Sequence, residues 1–257
     1  DWSSDVCSSD LTGASSGMGR EFVKQISRLY TGLDEIWVIA RRRERLTQLQ
    51  EESMYPLRTL DGDITDPKFL EEFAYLLQAT SPDVRMLVNA AGVGSNGTIA
   101  DLAEINDRLQ PEMVRLNCEA LLEMTQKVLP YLSEKSRIIN LASGAAFCPQ
   151  PGFAVYAATK SFVLSFSRAL GRELKKKKIY VTAVCSGPVA TEFFASDTMK
   201  IVAWKKPFLA DPNAVVRKAL IDSGKRKKLS VYGGSMKLVR ILTKILPIDF
   251  LVWIMGI

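Results

Sequence analysis

Short apolar runs alternate with amphipathic stretches along most of the chain. Residues 35–40 form a nearly continuous apolar run that predicts a buried strand, and the next stretch predicts a helix over 43–53. Strands that alternate with helices are typical of βαβ units, so we predict an α/β domain with a parallel sheet covered on both faces. The other predicted strands cover 57–60, 86–89, 138–141, 179–184 and a short edge strand near 229–232; the other predicted helices cover 66–79, parts of 99–132 and 153–175.

Two prolines predict helix starts. Asp66-Pro67 places a capping carboxylate before a proline at the first helical position. Pro111 predicts the start of the second helix within 99–132. We expect one domain, in which residues 12–192 form a dinucleotide-binding and catalytic core and residues 193–257 form a substrate lid and a C-terminal helical extension.

The segment before Thr12 departs from the pattern. The first strand of a parallel sheet should be buried on both faces and continuously apolar, but residues 1–11 read Asp-Trp-Ser-Ser-Asp-Val-Cys-Ser-Ser-Asp-Leu. Burial of Asp5 and Asp10 without partners would cost on the order of several kcal/mol each. We therefore expect residues 1–11 to be a non-native replacement of the first strand, similar to translated adapter sequence. The alternative is a strand that the fold tolerates at low stability.

A glycine-rich turn follows at Thr12-Gly-Ala-Ser-Ser-Gly-Met-Gly, directly before an amphipathic stretch that predicts a helix to Tyr30. Gly13 suits a tight turn, Gly17 lets a pyrophosphate approach the backbone, and Gly19 allows a helix to pack closely on a strand. The unpaired N–H groups of the helix N-terminus would then face the phosphates. The alternative is a plain Gly/Ser loop. The predicted phosphate-binding residues are Gly13, Ser15, Ser16, Gly17, Met18 and Gly19.

Arginines follow the second predicted strand, in Ala40-Arg-Arg-Arg43. A site that prefers NAD usually has an acidic residue there for the ribose 2′-hydroxyl. A guanidinium instead binds a 2′-phosphate with two parallel hydrogen bonds. We therefore predict NADP(H) as the cofactor, with Arg41 as the first candidate and Arg42 as a second contributor. The alternative is that these arginines only cover the next helix.

Tyr156 and Lys160 lie one turn apart on a predicted helix, and Ser143 follows the apolar run 138–141. A free tyrosine has a pKa of about 10, and a nearby ammonium favours the phenolate. The Ser143 hydroxyl can donate to an oxygen that gains negative charge. These 257 residues contain no histidine, which excludes Ser-His-Asp and Cys-His hydrolysis and His-ligated metals within them. Taken alone, Tyr-x-x-x-Lys also fits a surface pair.

Taken together, these motifs over residues 12–192 resemble the short-chain dehydrogenase/reductase family. Asn89-Ala-Ala-Gly92 matches its Asn-Ala-Gly motif, and residues 187–191, Gly-Pro-Val-Ala-Thr, match its nicotinamide loop. The resemblance implies a Rossmann-type, doubly wound sheet of about seven strands and a reversible hydride transfer between carbonyl and alcohol. Ser186 stands where the family has proline, so this loop is expected to be less rigid. The cofactor-binding residues that the resemblance adds are Asp63, Ile64, Asn89, Ala90, Gly92, Tyr156, Lys160, Gly187, Val189 and Thr191.

The resemblance also implies the catalytic roles. Tyr156 would protonate the developing alkoxide, while Ser143 donates a hydrogen bond to the same oxygen. Lys160 would lower the tyrosine pKa and hold the nicotinamide ribose, and Asn117 would connect Lys160 to solvent. Structural alternatives stay open. Asp63 could be a turn or cap residue, Asn89 could satisfy backbone groups between strands, and Asn117 could be a buried polar group of a helix. Thr191 could be only a helix cap, and Ser143 a turn serine. A protein that keeps the cofactor without the chemistry is the main functional alternative.

Composition adds compartment and partners. The four cysteines (Cys7, Cys118, Cys148 and Cys185) lack CxxC spacing, so we expect no disulfide framework, no metal and a reducing cytoplasm. The net charge of +6 is concentrated in residues 175–244. These basic runs lack interleaved aromatics, so nucleic acid is not expected. Solvated faces and attraction to an anionic substrate or membrane surface both fit.

The late part of the chain predicts the substrate and other contacts. Residues 235–246 predict an amphipathic helix with a basic polar face, ended by Pro247. Packing on the domain, a homodimer or homotetramer, or peripheral membrane contact through 235–257 would cover its apolar face. An apolar lid predicts a small-molecule substrate with a bulky hydrophobic carbonyl; it consists of Phe193, Phe194, Met199, Trp204, Phe208 and Leu209.

Overall fold

The structure is a computed structural model that describes residues 7–30, 32–194, 198–199 and 209–255. These residues form a seven-stranded, all-parallel sheet in the order β3-β2-β1-β4-β5-β6-β7, which confirms the predicted fold class. The strands are β1 Cys7–Thr12, β2 Glu35–Ala40, β3 Leu57–Asp61, β4 Asp83–Asn89, β5 Leu132–Leu141, β6 Tyr180–Cys185 and β7 Leu229–Val231. The helices are α1 Gly17–Leu29, α2 Arg43–Glu52, α3 Pro67–Thr80, α4 Ile99–Ile105, α5 Leu109–Val114, α6 Leu121–Val128, α7 Ala154–Glu173, α8 Pro212–Gly224, α9 Gly234–Ile245 and α10 Ile248–Met255.

The two faces of the sheet bury separate apolar clusters. In β2, Ile36 and Val38 belong to the cluster that includes residues of α1 and α8, whereas Trp37 and Ile39 belong to the cluster with α3 and α6. Successive side chains of a strand point to opposite faces. A strand covered by helices on both faces must therefore be apolar throughout, which explains the unbroken run in β2.

Several boundaries differ from the sequence predictions; β4, for example, begins three residues before the predicted Met86, at Asp83. Helix α5 begins at Leu109, so Pro111 is its third residue and not its first. Strand β5 begins six residues before the predicted Ile138, at Leu132. Its early part is polar, and its register on β4 shifts between Val84 and Met86. The irregular pairing explains why the apolar pattern showed only the second half of β5.

Asp10 lies in the middle of the central strand. It pairs with Trp37 of β2 and Leu87 of β4, and its side chain is fully buried. Neither carboxylate oxygen has a hydrogen-bond partner among the described residues. Burial raises the pKa of Asp10 to about 8, and the nearby Glu35 carboxylate adds to the increase. Asp5 lies outside the described residues. The predicted free-energy cost of burying a carboxylate without partners therefore applies, among the described residues, to Asp10.

The strand thus forms with a buried carboxyl group at its centre. An apolar residue at position 10 would match its neighbours in β2 and β4. We propose that residues 1–11 are a non-native segment. Among the described residues, no helix is both long enough and apolar enough to cross a membrane.

We predict that Asp10→Val and Asp10→Asn stabilise the protein, and that the gain grows with pH. The folded-state pKa lies above the unfolded value, so the native state retains a proton that the unfolded chain loses above about pH 4. Native stability then falls by about 1.4 kcal/mol per pH unit until about pH 8. The Asn variant should gain on the order of 4 kcal/mol at pH 7 and little at pH 4.

Urea unfolding at pH 4, 6 and 8 measures this difference. Asp61→Asn, which neutralises an exposed carboxylate in β3, is the matched control and should change stability little at any of these pH values. An equal gain in stability for Asp10→Asn and Asp61→Asn would contradict this role of Asp10. So would a gain for Asp10→Asn that does not depend on pH.

Candidate active site

The glycine turn at the end of β1 is built on very close backbone contacts. Gly13 has φ +69°, and a Cβ added there would lie 2.7 Å from the Ala91 nitrogen. A Cβ on Gly19 would lie 2.1 Å from the Gly13 carbonyl oxygen. Gly17 has φ +52°, and its added Cβ would lie 3.2 Å from Thr191. The turn therefore needs glycine at all three positions, and Gly17 faces the loop after β6.

The turn leaves polar groups available at the N-terminus of α1. Ser16 occupies the N-cap position, but its side chain makes no capping hydrogen bond. Ser15 is buried, and its hydroxyl accepts a hydrogen bond from the Arg42 guanidinium at 3.2 Å. Met18 is partly buried against the apolar core. The hydroxyl of Thr12 fixes the neighbouring loop, since it accepts hydrogen bonds from the backbone of residues 90 and 91.

The Asn-Ala-Ala-Gly segment after β4 divides between the interior and the site. The Asn89 amide donates to Thr125 at 3.1 Å and to Asn140 at 2.9 Å, inside the packing of β4 and β5 against α6. Its side chain therefore has a structural role, which was one of the two predicted alternatives. Ala90 is only partly buried, whereas Gly92 lies beside the side chains of Asn117 and Lys160. A Cβ on Gly92 would lie 3.3 Å from the Lys160 ammonium.

Ser143, Tyr156 and Lys160 come together at the carboxyl end of the sheet. Ser143 follows β5 and lies close enough to the Tyr156 phenol to lower its pKa, and its side-chain oxygen accepts a hydrogen bond from the backbone N–H of Ala145 at 3.1 Å. The Lys160 ammonium donates to the Leu141 carbonyl at 2.9 Å and lies 5.7 Å from the Tyr156 ring centroid. The spacing of four on α7 thus turns both side chains toward the end of β5.

Burial controls the protonation of this group. It raises the pKa of Tyr156 to about 12, and the hydrogen bond with Ser143 opposes the increase. Burial also lowers the pKa of Lys160 to about 8. Desolvation of the phenol dominates the pKa of Tyr156, and the predicted lowering of that pKa by Lys160 stays a prediction. The phenol holds its proton firmly at neutral pH and is available as a proton donor.

Asn117 lies in a π-helical turn, Arg115–Ala120, between α5 and α6. Its amide is buried; it donates to the Val93 carbonyl at 2.9 Å and to the Thr159 hydroxyl at 3.1 Å, and its oxygen accepts from the Val93 N–H at 2.9 Å. Thr159 in turn donates to the Tyr156 carbonyl at 2.8 Å. Asn117 thus joins the loop after β4 to the helix that carries Tyr156. Single π-helical turns are frequent at functional sites.

Aromatic rings surround the tyrosine. Phe153 stacks on Tyr156 with ring centroids 4.4 Å apart, and Phe193 lies 5.7 Å from it. Phe194 packs edge-on against Phe193. The sequence analysis predicted Phe193 and Phe194 but missed Phe153, which precedes α7 and could have been found as the residue three positions before Tyr156.

The remaining residues of the predicted lid differ in their placement. Met199 is buried, and Leu209 is exposed. Trp204 and Phe208 lie outside the described residues. The aromatic part of the lid that can be described therefore consists of Phe193, which lies beside Tyr156, and Phe194, which packs on Phe193.

The arginines after β2 face two directions. Arg41 is exposed and lies 3.7 Å from the Asp63 carboxylate, whereas Arg42 reaches the glycine turn through Ser15. The other Asp63 oxygen accepts from the backbone and hydroxyl of Thr65, in agreement with the predicted turn role, and Ile64 is buried. Of the arginines after β2, it is thus Arg42, and not the first candidate Arg41, that contacts the glycine turn.

The loop after β6 closes the other side of the site. The Ser186 carbonyl accepts from the Gly144 N–H at 2.8 Å, so the loop is tied to the Ser143 segment without the family's proline. Val189 forms an isolated bridge with Ala210. The Thr191 oxygen accepts from the Phe193 N–H at 3.4 Å, which is the predicted capping role. Gly187 lies against Met236 of α9, with 3.5 Å between the methionine and an added Cβ.

An open cleft separates this loop from the glycine turn. It has a volume of about 520 Å³, and its walls include Ser16, Gly17 and Arg20 on one side and Thr191 and Glu192 on the other. The Glu192 carboxylate forms ion pairs with Arg42 and Arg45. The cleft thus places the N-terminus of α1 and the Arg20 side chain along one open surface, opposite Glu192 and its two arginine partners.

Comparison with known proteins identifies the family. A family model described as short chain dehydrogenase matches residues 11–201. The NADP-dependent 3-hydroxy acid dehydrogenase of Salmonella typhi is 33% identical over 192 residues, which cover 74% of this chain and 75% of that protein. The chain therefore belongs to the short-chain dehydrogenase/reductase family and is an oxidoreductase of that type.

Two solved structures agree with the fold along most of its length. A short-chain dehydrogenase from Sphingobium yanoikuyae in complex with NADPH has a TM-score of 0.75 and 27% identity, and the match covers 87% of each chain. The bulky-bulky ketone specific alcohol dehydrogenase from Comamonas testosteroni has a TM-score of 0.71 and 25% identity over 93% of this chain and 92% of that one.

We predict that Gly19→Ala disrupts the glycine turn and lowers the affinity for NADPH by at least roughly tenfold, since α1 must move away from the Gly13 carbonyl. Fluorescence titration with NADPH measures the loss. Gly224→Ala is the matched control, because a Cβ there meets no atom within 4 Å, and it should bind as the unchanged protein does. Equal affinity for the two variants would contradict the role of Gly19.

Proposed function

We propose that this protein is an NADPH-dependent reductase that converts the carbonyl of an apolar small molecule to an alcohol, reversibly. The observation that carries the proposal is the meeting of the Ser143 and Tyr156 hydroxyls beside a buried Lys160. Two hydroxyl donors at one point suit an oxygen that gains negative charge. The site lies at the carboxyl end of the parallel strands, where ligands of doubly wound sheets bind.

The residues of the cleft fit a dinucleotide. Gly13 and Gly19 let the ends of β1 and β4 and the start of α1 pack closely, and Gly17 lines the cleft. The N-terminus of α1 would supply N–H groups for a pyrophosphate. Arg42 and the Ser15 hydroxyl would hold a ribose 2′-phosphate, with Arg41 as a second contributor. Lys160 and Tyr156 would hold the nicotinamide ribose, and residues 187–191 would border the nicotinamide. When bound, NADPH supplies the hydride.

The chain's own residues then supply and guide the proton. Tyr156 donates its phenolic proton to the carbonyl oxygen as that oxygen becomes an alkoxide. Ser143 donates a hydrogen bond to the same oxygen and keeps it in line with the phenol. Lys160, with its pKa lowered to about 8 by burial, stabilises the phenolate that remains. Asn117 acts as a positioning residue, because it holds the loop at Val93 and the helix at Thr159 in one arrangement.

An apolar substrate is supported by the surroundings of Tyr156. Phe153 and Phe193 flank its ring, and a Cβ on Gly94 would lie 2.6 Å from Phe193 and 3.0 Å from Tyr156. Flat apolar walls favour a bulky hydrophobic carbonyl over a charged or strongly hydrated one. The similarity to a ketone-specific alcohol dehydrogenase is consistent with this class.

We further propose that the protein acts as a homo-oligomer in the cytoplasm. The rings of Phe162 and Phe166 stack on the outer part of α7, with centroids 5.9 Å apart, and Phe162 is exposed. An exposed phenylalanine that stacks on a partly buried one on a long helix suits contact with a second subunit.

We predict that Tyr156→Phe lowers kcat by at least roughly a thousandfold and leaves the Kd for NADPH within about twofold, because it removes one proton donor and little volume. Turnover of a panel of aromatic, acyl and steroid-like ketones, together with NADPH titration, measures both quantities. Phe166→Tyr on the opposite part of α7 is a control for an aromatic exchange on the same helix. Retained turnover in Tyr156→Phe would contradict the proposed role. A protein that binds NADPH but reduces no ketone would favour a regulatory function.

We predict that Arg42→Ala weakens NADPH binding by roughly 10- to 100-fold and leaves NADH binding nearly unchanged, since only NADPH carries the 2′-phosphate. Arg41→Ala should have a smaller effect, because that guanidinium lies by Asp63. Arg43→Ala, an exposed residue at the start of α2, is the control. Parallel titrations with both nucleotides measure the preference. Equal weakening of NADPH and NADH by Arg42→Ala would contradict the assignment.

A further inference from the structure

Helices α9 and α10 expose an unusual amount of apolar surface. In α9 no side chain is buried, and Leu238, Ile241 and Ile245 are 56%, 53% and 72% exposed. In α10 the rings of Phe250 and Trp253 stack on one another, and they are 46% and 63% exposed. Contiguous exposed apolar side chains mark an interaction surface. We call the outer side of α9 and α10 the C-terminal apolar face.

The orientation of α9 makes this face available. Residues 238, 241, 242 and 245 recur at three and four, so they lie along one side of the helix. All four are exposed, whereas Met236 and Arg240 are only partly exposed. Met236 packs beside Gly144 and Gly187. The side of α9 with Met236 and Arg240 thus faces the domain, and its more apolar side faces outward. In a usual surface helix the apolar side faces the core.

The charges next to this face indicate that its partner is anionic. Lys237 and Lys244 are exposed and seven residues apart, so they line one flank of the apolar side of α9. Asp249 is the one acidic residue of α9 and α10. Long basic side chains beside an apolar face, with Trp and Phe close by, suit the headgroup region of an anionic bilayer. A symmetric contact with a second copy would instead bring these like charges together.

We propose that the C-terminal apolar face docks on the surface of an anionic lipid bilayer, with the helices lying along the surface and the lysines at the phosphate groups. The described helices are too short and too interrupted to cross the membrane, so the contact is peripheral. Docking needs no turnover, so it stands or fails separately from the proposed reductase activity. It would bring the site next to a source of apolar carbonyl compounds.

Flotation of the full chain with vesicles tests the proposal. We expect binding to vesicles of phosphatidylcholine with phosphatidylglycerol, at least tenfold weaker binding to phosphatidylcholine alone, and weakening by salt. Ile241→Ser with Ile245→Ser should reduce the bound fraction at least tenfold. Lys237→Gln with Lys244→Gln should remove most of the preference for the anionic vesicles.

The matched control is Met54→Ser with Tyr75→Ser, since those side chains are 94% and 74% exposed on other parts of the surface. It should float as the unchanged protein does. NADPH titration and circular dichroism verify that each variant is folded. Failure to float with either vesicle, or flotation that Ile241→Ser with Ile245→Ser does not change, would overturn the proposal. So would the loss of a dimer in that variant without any change in flotation, which would assign the face to a second subunit.

Discussion

The contact between Gly19 and the Gly13 carbonyl is the constraint on which the site depends. It lets α1 begin directly against the end of β1, so that the first turn of the helix faces the cleft. Gly13 makes a second close contact with Ala91, which brings the end of β4 to the same point. A methyl group at either glycine would separate these elements. The arrangement of the cofactor cleft therefore follows from backbone packing before any polar contact is made.

The catalytic side depends on a different connection. The Asn117 amide reaches both the loop after β4 and Thr159 on α7 because a π-helical turn rotates it out of the regular helical repeat. Thr159 continues the chain of hydrogen bonds to the Tyr156 carbonyl. A buried side chain with all its hydrogen bonds made within the protein resists displacement. The tyrosine is thus positioned from the neighbouring helix as well as from its own.

Residues fixed by local spacing could be predicted from the sequence, whereas those fixed by tertiary contacts could not. The four-residue spacing of Tyr156 and Lys160 and the glycine pattern act within one element, so the sequence analysis found them. The direction of each arginine after β2 depends on Ser15 and Asp63, which come from other loops. The tyrosine pKa depends on burial, which a spacing rule does not contain. The polar start of β5 was missed because its pairing with β4 is a tertiary contact. Phe153 lies three residues before Tyr156, so local spacing could have found it.

Met236 gives the position of α9 a meaning beyond surface chemistry. Its sulfur lies 2.6 Å from where a Cβ on Gly144 would be, and its side chain also borders Gly187. The two loops it touches are those that follow Ser143 and precede Thr191. A tilt of α9 would move the Met236 side chain away from both loops. Because Met236 lies in the first turn of α9, the position of this helix limits how closely the loops at Ser143 and Thr191 approach each other.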